Sequence, residues 1–229
     1  MRLFNVLFSF FILPAFVIMY LTIDIRCRYN IITSMELYHV LNRGVDKRKI
    51  FLDDKDRFRF VHNLFEFNNQ ENVINNTFFF NTIDIERRYN KKSRKTLVDV
   101  HSFCLMDNHY HLLVSSNIEN GIPKFMKKIN MGYSKYFNVK YNRNGALFEG
   151  RHKKILVKDE SHFIHLHYYI HLNPLDFIAP GWRDRRIKDF KKTLDFINSY
   201  RWSSHLDYMG KNNFSFVTQR KFLMSFFEN

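Results

Sequence analysis

The sequence predicts an α+β sandwich, a single antiparallel sheet with helices packed against one face. Three observations lead there. From residue 36 onward the hydrophobic pattern runs strand, helix, strand, strand, helix, strand, helix, with no internal repeat. The two central strand patterns are joined by a tight Met106-Asp107-Asn108 turn, which makes them an antiparallel hairpin. The 229 residues are 45% hydrophobic and 17% aromatic, with 26 Phe, enough for one sizeable core.

Each element has its own local reason. Glu36 to Asn42 alternates strand formers and is broken by Arg43-Gly44. Asp53 to Phe67 reads as a helix capped by Asp53 or Asp54, with Phe58, Val61, Leu64 and Phe65 as its apolar stripe. Residues 68–96 are rich in Asn and Lys and read as a polar excursion holding a short strand at Thr77–Ile85. Val98 to Leu105 and His109 to Ser115 form the hairpin. Ile122 to Tyr141 is a second helix, with Ile122, Phe125, Met126, Ile129, Tyr133 and Phe137 inward. Lys154 to Val157 is a fourth strand. A third helix over Asp159 to Leu172 is capped by Asp159 and stopped by Pro174.

Three segments follow from this: a hydrophobic extension over 1–34, a domain over 35–178 and a basic, helical extension over 179–229. Leu3 to Ile23 carries no charge and is long enough to span a bilayer. Two readings of it stand: a membrane segment, or translated sequence upstream of a start at Met35. Without a membrane segment the expected location is the cytoplasm, at the nucleoid.

Charge narrows the function. Thirty-six Lys plus Arg against 22 Asp plus Glu give a formal net charge of +14, dispersed along the chain. A dispersed positive excess favours a polyanionic partner, because each neutralised phosphate releases counterions. Codon bias toward Phe, Asn, Lys and Ile would produce the same composition. The two cysteines, Cys27 and Cys104, form no CxxC and no framework, so nothing points to secretion or a structural zinc site.

Two constellations carry chemistry. In Asn108-His109-Tyr110-His111-Leu112-Leu113-Val114 the two histidines are i and i+2 on a strand, so both imidazoles leave one face, roughly 7 Å apart. Tyr110, Leu112 and Val114 point to the opposite face, under the helices. Side by side on an open sheet face, two imidazoles can hold one divalent ion, although a histidine-rich chain also makes such pairs by chance. In Tyr168-Tyr169-Ile170-His171-Leu172-Asn173-Pro174, Tyr169 and Asn173 are i and i+4 on one helical face, about 6 Å apart along the axis. That face also bears His162 and His165, while Phe163, Leu166 and Ile170 dock the helix. The bland alternative is an edge tyrosine and a helix-capping asparagine.

Taken together, His109, His111 and the Asn173 carbonyl oxygen would leave open positions on a metal for phosphate oxygens, and Tyr169 would be the nucleophile. Here the chain resembles the HUH single-tyrosine transposases, the insertion-sequence-200-like group and the REP-associated tyrosine transposases. The marks are YHVLNRGVDKRKIF at 38–51, FCLMDNHYHLLV at 103–114, YFNVKYNRNGALFEGRHKK at 136–154, YIHLNP at 169–174 and RWSS at 201–204. The resemblance implies a ferredoxin-like (RRM-like) sheet of four to five strands, with the catalytic-tyrosine helix beside the histidine strand. It implies Mg²⁺ or Mn²⁺ on His109, His111 and Asn173, and cleavage and rejoining of single-stranded, hairpin-flanked DNA through a 5′-phosphotyrosine at Tyr169.

The expected partners are DNA hairpins or palindromic repeats; a homodimer is left open. A non-catalytic, domesticated hairpin-binding protein on the same fold is the competing reading. The chain departs from relatives at Asp107, where proline is usual. It departs again at Leu175-Asp176-Phe177-Ile178, where relatives commonly run Val-Arg-Ala-Gly and so carry a basic residue beside the site. Expected DNA contacts are Arg43, Arg143, Arg151, Lys153, Lys154 and Lys158, with Phe148 as a platform for unpaired bases.

Overall fold

The computed structural model describes residues 36–71 and 94–227. The apolar stretch at 3–23, Met35, Cys27 and the strand expected at 77–85 lie outside the described residues. Among those residues no helix is long and apolar enough to cross a membrane.

Four strands form one antiparallel sheet: β1 (Leu37–Arg43), β2 (Val98–Leu105), β3 (His109–Ser116) and β4 (Lys153–Leu156). Their spatial order is β2-β3-β1-β4, which puts the first and third strands of the chain at the centre. With α1 (Asp54–Glu66) after β1 and α2 (Gly121–Lys140) after β3, this is the ferredoxin-like α+β arrangement. The register pairs Leu41 with His111 and Arg43 with His109, so the histidine strand is flanked on both sides and fixed in place.

Both caps read from the sequence are present. Asp53 accepts from the Asp56 backbone N–H and Asp56 answers at the Asp53 N–H, a reciprocal capping box. Asp56 is buried and also accepts from Lys140, Tyr136 and Tyr141, which ties α1 to α2. The α1 stripe is rotated from expectation. Phe60, Val61 and Leu64 are its buried face, whereas Phe58 packs edge-on against Trp202 at 4.9 Å and Phe214 at 6.1 Å. Residues near the C-terminus therefore share the main core, in which Trp202, Phe214 and Val217 are buried with Phe103, Tyr110 and Phe125.

One expectation is corrected. The histidine face of the sheet is not open, because α3 (Glu160–Leu172) lies against it. Its Phe163, Leu166 and Ile170 bury against Leu113, Cys104 and Met106 in a second apolar cluster. The physical reason is in the sequence of β3 itself. Leu113 follows the two histidines on their face and supplies an apolar seat for the stripe of α3. Two 3-10 turns (Asn173–Phe177 and Pro180–Asp184) follow, then α4 (Phe190–Ile197), α5 (His205–Tyr208) and α6 (Lys221–Phe227). The segment before α5 adds to the free edge of β2 through Leu105 N–H to the Trp202 carbonyl at 2.9 Å and Ser204 N–H to the Phe103 carbonyl at 3.0 Å.

Candidate active site

The pleat of β3 sends His109 and His111 toward α3, and Tyr110, Leu112 and Val114 into the main core. The two imidazoles sit 4.9 Å apart, ring centre to ring centre, and nearly perpendicular. Each has one nitrogen engaged. Nδ1 of His109 is 2.6 Å from Oδ1 of Asn108, and Nδ1 of His111 is 2.9 Å from Nε2 of His39 on β1. The other nitrogen of His111, Nε2, is buried without a hydrogen-bond partner.

Burial holds all three rings in the neutral form that can ligate. It pushes His39 down to about 4, helped by the charge of His162. Burial also lowers His109, with the charges of Arg183 and Arg43 adding to the effect and Asp176 opposing it. His111 falls well below the usual imidazole range through burial, then through His109, His39 and Arg183.

Helix α3 brings Tyr169 to these rings. Tyr169 meets His111 edge-on at 5.6 Å and His39 edge-on at 6.3 Å, and His165 stacks on it from one turn earlier at 6.2 Å. Tyr168 turns elsewhere, with its ring 6.0 Å from His167. Asn173, one turn beyond Tyr169, is buried, and its Nδ2 donates to the Tyr169 carbonyl at 2.7 Å. Its Oδ1 accepts from Nη2 of Arg183 at 3.0 Å.

Sequence reasoning missed two of these neighbours. His39 belongs to another strand and joins the site only through the register of β1 on β3. Arg183 comes from a 3-10 turn ten residues beyond Asn173, and its guanidinium stands 5.4 Å from the centre of the Tyr169 ring. Asp176 anchors that turn by accepting from Trp182 Nε1 at 2.7 Å and from Arg183. Trp182 in turn places its ring 6.4 Å from Tyr169.

The chain matches a family model described as "Transposase IS200 like" over residues 60–173, a span that holds His109, His111, Tyr169 and Asn173. The chain belongs to the IS200-like transposases. It is a DNA-processing enzyme of the family that its motifs resemble. No curated protein matches. Among solved structures the chain is similar to one described as a REP-associated tyrosine transposase bound to a REP hairpin, at 11% identity and a TM-score of 0.44. That likeness covers 78% of this chain and 81% of the other.

In this transposase the basic residues named from sequence are placed unevenly. Arg151, Lys153, Lys154 and Lys158 are exposed on and around β4, the edge strand. Arg43, at the end of β1, is exposed but paired with Glu149. Arg143 leans over the Phe137 ring at 5.6 Å and donates to Asn138. Phe148 is a correction. It is 7% exposed and packs edge-on against Tyr110 at 6.0 Å, so it belongs to the core and presents no face for a base. The bridge of Phe148 to Gly44 at the end of β1 turns it inward. Phe137 is buried as expected.

Among the described residues no three His, Cys, Asp or Glu side chains converge as a metal cluster. The donors expected from sequence to hold a divalent ion are two imidazoles and an amide oxygen. The donor set fits that task. The unpartnered Nε2 of His111 is a buried lone pair or N–H needing a neighbour, and each Nδ1 is already fixed by a second residue, as in oriented metal-binding histidines.

Proposed function

We propose that this transposase cleaves and rejoins single-stranded, hairpin-flanked DNA through a 5′-phosphotyrosine on Tyr169. His109, His111 and Asn173 would hold Mg²⁺ or Mn²⁺. The observation that carries this reading is the edge-on packing of Tyr169 against His111, whose buried Nε2 has no hydrogen-bond partner.

The residues divide the work. Tyr169 is held by rings on three sides, which limits the rotamers from which its oxygen can approach a phosphate. The Oη attacks the scissile phosphorus and the bond to the 3′ oxygen breaks. The phenol proton leaves to solvent and the departing oxygen takes one up. This gives a 5′-phosphotyrosine and a free 3′-OH. The new ester keeps the phosphodiester bond energy, so attack by a 3′-OH reverses the step and rejoins strands without ATP. When bound, the ion polarises the phosphodiester and offsets charge on the five-coordinate transition state. Exposed Arg151, Lys153, Lys154 and Lys158 supply phosphate contacts that position the strand.

The test is incubation with a labelled hairpin oligonucleotide and Mn²⁺, followed by denaturing electrophoresis. Wild-type protein is expected to give a covalent adduct that disappears with chelator and in both His109→Ala and His111→Ala. Hairpin binding should stay within about threefold in both variants, since it rests on phosphate contacts. Adduct formation by both variants in chelator removes the metal from the mechanism. Hairpin binding with no cleavage under any metal would leave a binding module instead.

His39 adds a second expectation. For His111 to offer Nε2 to a metal, its proton must sit on Nδ1 and be donated to Nε2 of His39. His39→Ala should weaken Mn²⁺ binding by roughly 10–100-fold, the range for lost outer contacts to ligating histidines. His39→Gln, which keeps an acceptor, should recover part of it. Equal Mn²⁺ affinity in wild type and His39→Ala by paramagnetic titration would reduce His39 to a packing residue.

A further inference from the structure

Arg183 has no part in the reaction described so far, yet its guanidinium stands in the middle of the site. Nη2 donates to Oδ1 of Asn173 at 3.0 Å, Nη1 is tied to Asp176, and the group lies over Tyr169 on one side and Trp182 on the other. The Asn173 side chain can offer a cation only that oxygen, because an amide nitrogen has no free lone pair and here donates to the Tyr169 carbonyl. A dication on Oδ1 with a guanidinium nitrogen 3.0 Å from the same atom would set like charges side by side. The oxygen has two lone pairs, but serving both partners at once would carry the cost of that repulsion.

Arg183 lies at the rim of the fold, where it is held by polar contacts and not by core packing. Its side chain is 39% exposed, and it hangs from a short 3-10 turn rather than from the core. Its fork of donors matches the oxygens of a phosphate as well as those of a carboxylate. The attacking oxygen of Tyr169 and any phosphate presented to it must lie within a short swing of the present position.

We propose that Arg183 gates the third ligand position. It caps Asn173 Oδ1 in the resting protein, yields that oxygen when a divalent ion binds, and moves its fork onto a non-bridging oxygen of the scissile phosphate. Asp176 keeps the guanidinium beside the site during the exchange. The inference rests on the metal reading given under Proposed function. It adds a residue that both restrains metal binding and stabilises charge in the reaction.

Arg183→Met and Arg183→Gln remove the charge while keeping the length or the polarity of the side chain. Without DNA, both should bind Mn²⁺ about 10-fold more tightly than wild type, a size usual for coupling between neighbouring ligands. At saturating Mn²⁺ both should cleave a hairpin oligonucleotide about 100-fold more slowly in a single turnover, the loss typical of a missing transition-state donor. The affinity difference should persist at roughly 1 M salt, where charge effects are screened beyond ~3 Å. Unchanged or weaker Mn²⁺ binding in both variants overturns the gate, as does a difference that vanishes in high salt. An undiminished cleavage rate overturns the phosphate contact. Wild-type Mn²⁺ binding that is indifferent to His109→Ala would bring down the metal reading itself, and this inference with it. His109-dependent binding that ignores Arg183 overturns this inference alone.

Discussion

Tyr169→Phe is expected to abolish the covalent DNA adduct while leaving the fold and hairpin binding intact. Phenylalanine retains the ring that packs edge-on against His111 and His39 and faces Trp182, so the site keeps its shape. Only the attacking oxygen is lost. Removal of a nucleophile that no neighbour can replace costs at least ~10⁴-fold in rate. Hairpin affinity should not move, and the melting temperature should stay within a degree or two, because the ring packing is kept and the lost hydroxyl meets Arg183 at the rim of the fold.

Tyr168→Phe is the control that makes the experiment discriminating. Tyr168 is adjacent in sequence but rotated by ~100° on the helix, and its ring meets His167 instead of the histidine pair. Adduct formation should survive in that variant. Peptide mapping of the wild-type adduct should return Tyr169. An adduct on any other tyrosine, or one that persists in Tyr169→Phe, would place the nucleophile elsewhere. Strand cleavage with no adduct at all would mean that water attacks and that the enzyme is a nuclease.

Local chemistry made much of the fold readable. Asp53 and Asp159 are short acceptors in front of periodic apolar runs, and both cap the helices expected of them. The hairpin over Val98–Ser116 follows from two strand patterns and a turn too short for any other connection. The histidine pair and the Tyr169–Asn173 pair were legible because each is set by one period, two residues on a strand and four on a helix. Legibility stopped where contacts join elements distant in the chain. His39 reaches His111 because Leu41 pairs with His111 across β1 and β3, a register that no local pattern specifies. Arg183 reaches Asn173 because two 3-10 turns fold the chain back on itself. Phe148 looked available because it sits in a Gly- and Arg-rich loop. A single bridge to Gly44 is enough to bury it.

A second group of histidines was not legible as a unit at all, and it has the larger consequence for stability. His101, His167, His171 and His205 are buried where α3 and the C-terminal segment meet β2. Ser115 bonds His101, Ser102 bonds His167, Ser204 bonds His171 and Asn198 bonds His205, at 2.8 to 3.2 Å. Burial drives His101 and His205 down to about 4 and His167 to about 3, and it takes His171 well below the usual range. The sign follows directly. Each group has a lower pKa folded than unfolded, so the unfolded chain binds more protons once the pH drops below the unfolded value of ~6.5. Stability is full above that pH and is lost between it and about 4. At pH 5.5 an unfolded histidine is some 90% protonated while its buried counterpart is neutral, a difference on the order of 1 kcal/mol per residue. Four such residues together remove on the order of a few kcal/mol, against a total of roughly 5–15 kcal/mol for a typical domain. Asp207, raised by burial, works in the opposite direction as the pH falls. The metal-free site histidines His39, His109 and His111 add to the loss. Urea denaturation of chelator-treated protein should therefore show stability falling steadily between pH 7 and pH 5.5, with an uptake of three or more protons on unfolding. His205→Gln, which keeps a polar side chain near Asn198 but cannot titrate, should lower that uptake by about one proton. A folding free energy that is flat from pH 7 to pH 5.5 would show that these four histidines are not held neutral in the folded protein.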